Sequence, residues 1–208
     1  MLIGDVQRWA GSFVSFDDRF LERIALVWPA CMSVLPGQPG EDDITINLVD
    51  RLTKDAVVRR LCHWVEYQFE PFGLAADGSK YSKGIIDIAV LFDWERERYL
   101  AYECKRLNVL NSGSRSSLAT AYVMEGMMRF MTEQYAEHLP MGCMLGYVLD
   151  GDVPFAQARI ANAIASHAGL ALIDGPTPLN TINTVERFRT RHMRSAGLEI
   201  ELRHALLS

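Results

Sequence analysis

Residues 84–106 read GIIDIAVLFDWERERYLAYECKR. Two apolar runs flank a charged middle, which predicts strands over 85–92 and 99–105 joined by a turn at DWERER, 93–98. The first run is apolar on both faces, as a strand in a sheet covered on both sides must be. Yet the runs carry Asp87, Glu103 and Lys105. With the turn centred near Glu95, opposed residues sum to about 190 in antiparallel register. Residue 87 then faces residue 103, and Lys105, two positions on, points to the same face. Two carboxylates that close repel in an apolar setting. A divalent cation removes the conflict, and Mg2+ takes such oxygen ligands, with the Cys104 carbonyl as a third. Lys105 would orient a water or offset phosphate charge. The competing reading is a structural ion pair between Asp87 and Lys105.

Outward from the hairpin, a helix is predicted over 17–33 on the stripe Phe20, Ile24 and Val27, followed by the breaker LPGQPG at 35–40. The break suggests an N-terminal helical extension, 1–40, ahead of a main domain, 41–208. Helical spacing resumes over 41–64, as one helix or two joined near Thr53, and alternation over 65–72 predicts a strand. A polar loop (77–84) precedes the hairpin and SGSRSS (112–117) follows it. Beyond come a helix over 118–137, a strand over 141–149, a helix over 154–168 and a short strand over 170–173. GPTPLN (175–180) reads as a break, 183–195 as helical or irregular and basic, and 198–206 as a last strand. The expected fold is α/β, a mixed β-sheet flanked by helices on both faces.

Apolar residues make up 49% of 208, enough for a real core, and the net charge of −5 argues against a protein that grips nucleic acid by bulk charge. The four cysteines are widely spaced without a CxxC pair, which excludes a zinc knuckle and suggests reduced thiols. No basic segment followed by a long apolar one opens the chain, and no apolar run is long enough for a membrane span; a cytoplasmic protein is expected. GxSxG, GxxxxGK[ST] and GxGxxG are all missing, so serine-hydrolase, P-loop and dinucleotide readings find no support.

The core order and the residues GIID (84–87) and ECK (103–105) resemble the PD-(D/E)XK nuclease superfamily, the restriction-endonuclease-like fold. The resemblance covers roughly 41–150; Ile86 stands where the family name has proline. It implies Asp87 and Glu103 as Mg2+ ligands (Mn2+ substituting), Lys105 as the residue that assists water, and DNA as substrate. A setting in restriction, anti-phage defence or a mobile element is implied too, with a homodimer or a partner subunit encoded nearby. The alternative within the same fold is a catalytically silent subunit that binds nucleic acid or a partner protein. Family members often add an acid on the first core helix. Glu41 fits best, sharing a face with Thr45, Leu48 and Leu52, with Asp42 and Glu66 as rivals. Acids near a helix start are also favoured by the backbone dipole alone.

Further candidates touch nucleic acid. Arg106 and Asn108 follow the motif and either meet phosphate or exit into solvent. Tyr122 and Arg129 share a helix face that the resemblance places along a substrate cleft, unless Glu125 and Arg129 form a surface pair. RFRTRHMR (187–194), with Arg189, Arg191, His192 and Arg194, is the clearest basic tract and reads as a phosphate-binding patch or a solvated face.

Overall fold

The hairpin forms in the expected register, with Ile88 opposite Tyr102 and Leu91 opposite Tyr99. The computed structural model describes residues 6–208, so the first five positions of the expected 1–40 extension lie outside the described residues. Seven strands make one sheet: β1 (Trp64–Phe69), β2 (Ile86–Leu91), β3 (Tyr99–Leu107), β4 (Met141–Val148), β5 (Leu172–Pro178), β6 (Glu186–Met193) and β7 (Glu199–Leu207). Their spatial order is β1-β2-β3-β4-β7-β6-β5. The pairs β1/β2, β2/β3, β6/β7 and β5/β6 are antiparallel; β4 runs parallel to both β3 and β7.

The longer helices are α1 (Val6–Met32), α2 (Glu41–Lys54), α3 (119–131) and α4 (Val153–Ser166), with a single turn at Val58–Leu61. They cover both faces, as two neighbours on β3 show. Tyr102 meets α1, donating to Asp17 at 2.9 Å, while the Cγ of Glu103 lies against Gly126 of α3. Phe13, Phe16, Phe20, Leu21, Ile24, Trp28 and Cys31 of α1 join the same buried cluster as the strands. Charge fastens this helix as well. Fully buried Asp17 sits 3.3 Å from Arg187 and 3.2 Å from Arg203, partners that offset the cost of burying a carboxylate.

Three expectations change. Residues 186–193, expected to be helical or irregular, are strand β6, with Phe188, Thr190 and His192 buried at alternate positions. GPTPLN does not break the chain at once: β5 runs to Pro178, on the sheet edge, where a proline's missing N–H costs no ladder bond. Helix α3 stops at Met131 rather than 137, and Tyr122–Met127 within it is wound as a wider π turn. Positive φ at Glu133, Ala136 and His138 turns the chain beyond it. No helix among the described residues is long and apolar enough to cross a membrane.

Candidate active site

Parity and register bring Asp87, Glu103 and Lys105 together, and α2 adds a fourth group. Lys105 Nζ lies 2.9 Å from Glu103 Oε1, 2.9 Å from Glu41 Oε1 and 4.0 Å from Asp87 Oδ2, and donates to the Cys104 carbonyl at 2.8 Å. Glu41 is the first residue of α2. Its Oε2 accepts the Arg106 N–H at 2.9 Å, which locks the helix start to the end of β3. Its rivals stand elsewhere: Glu66 pairs with Arg96 at 2.7 Å, and Asp42 is exposed. Asp87 Oδ2 accepts the Cys104 N–H at 2.7 Å, where a ladder bond would otherwise fall.

Arg129 is the other cation here. Its Nη1 lies 3.2 Å from Glu103 Oε1, and it also donates to the Tyr135 hydroxyl, which in turn donates to the Ile85 carbonyl. Arg129 thus turns to the acid cluster. Tyr135 was not singled out by sequence reasoning, because it lies past the end of α3 in a turn with no periodic pattern. Gly126 went unnoticed as well. A Cβ there would meet Met144 Cε at 2.5 Å and Glu103 Cγ at 3.5 Å, so its lack of a side chain lets α3 close over the acid.

The electrostatics follow from burial. Burial pushes the Glu103 carboxyl up to about 8, helped by Asp87 and opposed by Lys105 and Arg129. The Asp87 carboxyl is also raised, by burial first, against Lys105 and the Cys104 N–H. Desolvation pulls Lys105 down, but the carboxylates of Glu103, Asp87 and Glu41 outweigh it, and the ammonium holds its proton above the ordinary lysine range. Neither Glu103 oxygen receives a well-aligned hydrogen bond, although both are buried. The cations that face this carboxyl are Lys105 at 2.9 Å and Arg129 at 3.2 Å, both on Oε1. Asp87, Glu103 and the Cys104 carbonyl make an oxygen-only donor set of the kind Mg2+ takes. Among the described residues no group of three or more His, Cys, Asp or Glu side chains has metal-ligand spacing. A cation here would rest on two carboxylates, one carbonyl and water.

Other expected contacts are corrected. Asn108 is buried and donates to Asp150 at 2.8 Å and to the Asp152 carbonyl at 3.1 Å, fixing the loop before α4 rather than meeting phosphate. Arg106 keeps part of its surface, but its guanidinium donates to the Pro39 carbonyl. Tyr122 faces the core, 2.9 Å from His204 Nδ1. The basic tract is not a free patch. Arg194 is buried and donates to the carbonyls of Phe130, Leu139 and Ala136, and His192 is buried. Arg189 pairs with Asp174 and Glu201, and Arg191 with Asp174 and Glu199.

His192, His204 and Tyr122 form one chain whose proton positions are dictated. The Leu170 carbonyl can only accept, so His192 Nδ1 (2.8 Å) bears the hydrogen. His192 Nε2 then accepts from Thr190 Oγ1 (2.7 Å), which accepts from His204 Nε2 (3.0 Å). That leaves His204 Nδ1 to accept from Tyr122. Both imidazoles are neutral, and burial depresses both pKa values.

Compared with family models, curated proteins and solved structures, the chain finds no match. Its function rests on its own geometry.

Proposed function

We propose that this protein is a divalent-cation-dependent nuclease that hydrolyses DNA phosphodiester bonds. One observation carries the reading: three carboxyl groups, from α2, β2 and β3, converge on the Lys105 ammonium, and the most buried of them, Glu103, also faces Arg129 at 3.2 Å. A structural ion pair needs one acid. Here three carboxyl groups gather around Lys105 and Arg129, and burial holds one of them, Glu103, up at about 8; a bound cation would keep that carboxyl ionised. The chain order α2, β1, β2, β3, α3, β4, with β4 parallel to β3, supports the restriction-endonuclease-like resemblance over 41–148.

In this reading Asp87, Glu103 and the Cys104 carbonyl would hold Mg2+ or Mn2+. The chemistry such a cation supplies is charge neutralisation at phosphoryl oxygens and a lowered pKa for water. Lys105 keeps its proton, so it acts as a donor to phosphate or water and not as a base. Glu41, held in place by Arg106 N–H and less buried than Glu103, is the acceptor for the proton of the attacking water. Arg129 offsets charge that develops on the phosphoryl group. A role in restriction or anti-phage defence, with a homodimer or partner subunit, belongs to the same proposal.

The test is cleavage of plasmid and linear DNA with Mg2+ or Mn2+. Cutting should vanish with chelator and fall about 100-fold or more in Lys105→Ala. That no three acids have metal-ligand spacing among the described residues favours a second reading, a silent subunit that binds nucleic acid or a partner. Wild-type protein that cuts nothing with either cation would establish that reading over the first.

A further inference from the structure

Between β1 and β2 the chain makes a small antiparallel ribbon, Phe72–Leu74 against Lys80–Ser82. Phe69 of β1 pairs with Ile86 of β2, so the ribbon rises from the end of the sheet that holds Asp87. It is firmly built. Lys83 N–H donates to the Pro71 carbonyl at 3.0 Å, and its ammonium pairs with Glu137. At the tip, Ala75 N–H reaches the Ser79 carbonyl at 2.8 Å, and Asp77 accepts from Ser79 N–H and hydroxyl. A bonded path also joins it to the site: Ile85 carbonyl, Tyr135, Arg129, Glu103.

Beside the exposed Lys80 and Ser82, the ribbon shows large apolar side chains to solvent. Phe72 is 62% exposed, Leu74 71%, Tyr81 51% and Ile85 48%. Register places Phe72 and Leu74 on one face with Ser82 and Lys80, and Tyr81 on the other. A Cβ on Gly73 would meet the Tyr81 ring at 2.3 Å, so the glycine lets the ring lie flat across the ribbon. Beside it opens a cleft of about 560 Å³ whose walls mix Glu70, Glu95 and Glu137 with Lys80, Lys83 and Arg96. Carboxylates repel phosphate but accept hydrogen bonds from the exocyclic amines of bases. Flat rings stack on any base, and a base is available for stacking only where it is unpaired.

We propose that the ribbon 72–82 is a stacking platform for unpaired bases, and that the substrate is single-stranded or locally unpaired DNA whose backbone passes from Lys80 to the acid cluster. The inference rests on the nuclease reading for its direction along the chain. Its test does not. Full-length Asp87→Asn protein, which should not cut, is titrated by fluorescence anisotropy with a short labelled single strand and with the blunt duplex made from it. The single strand should bind more tightly. Phe72→Ala and Tyr81→Ala should each weaken strand binding by about tenfold and leave duplex binding unchanged. Phe72→Trp should retain strand binding, and circular dichroism should show every variant folded, since these side chains bury little. Undiminished strand binding in both alanine variants, preference for duplex, or no DNA binding by the parent would overturn the platform. Cleavage by the Asp87-bearing protein is measured in parallel. Cutting with ribbon-independent binding overturns the platform alone; ribbon-dependent binding without cutting overturns the hydrolytic reading alone.

Discussion

Asp87 carries two duties that pull against each other. Its Oδ2 accepts the Cys104 N–H at 2.7 Å, which closes the hairpin where the ladder ends, yet burial, and Glu41 after it, raise its pKa against Lys105 and Arg129. Asparagine keeps an acceptor and removes the charge. Without divalent cation, Asp87→Asn should therefore melt at or above the wild-type temperature, by about 2–4 °C per kcal/mol of relieved repulsion. Thermal melts in chelator check this, and a clear drop would mean that the charge is a structural partner of Lys105. Asp87→Ala is a harsher change, because it strands the Cys104 N–H at a cost of about 1–3 kcal/mol. The convergence of Asp87, Glu103 and Lys105 was legible because a charged turn between two apolar runs fixes register, and register fixes faces. Glu41 was legible from helical spacing. Arg129 reaching Glu103 depended on the π turn and on Gly126, and neither leaves a periodic mark.

Among the elements, β6 teaches the most. RFRTRHMR alternates with period 2, but its inward positions include Thr190 and His192, which look polar until their partners are known. Thr190 bonds to both His192 and His204, so the strand buries a satisfied chain rather than hydrocarbon. Outward arginines paired with acids on β5 and β7 completed the disguise. The same chain sets an acid limit on the fold. Both histidines have pKa values depressed below the usual 6.5. Above about pH 6.5 they are neutral folded or unfolded and add no pH dependence. As pH falls below that, the unfolded chain binds protons that the folded one refuses, and stability drops by up to about 1.4 kcal/mol per pH unit for each. Urea unfolding from about pH 7 to pH 5 should show wild type losing stability more steeply, or gaining it less, on acidification than a His192→Gln/His204→Gln double variant, since Glu103, raised to about 8, contributes with the opposite sign in both. An equal slope in that variant would assign the acid response to other groups.

At the scale of the whole molecule, the α/β class and the mixed sheet were readable from the alternation of runs. The tie between α1 and the sheet was not. It depends on Asp17 meeting Arg187 and Arg203, residues far along the chain that no local pattern connects. The same bookkeeping of charge governs how the protein would meet a polyanion. Arg187, Arg189, Arg191 and Arg203 all face carboxylates of their own molecule. These four are not free to displace sodium from a DNA strand, so binding along this part of the sheet should release few counterions. Affinity for DNA should then respond weakly to ionic strength, with a logarithmic slope of about −2 or shallower, read from titrations in increasing salt. A chain that holds its substrate by stacked rings instead of opposite charge would keep its grip in brine.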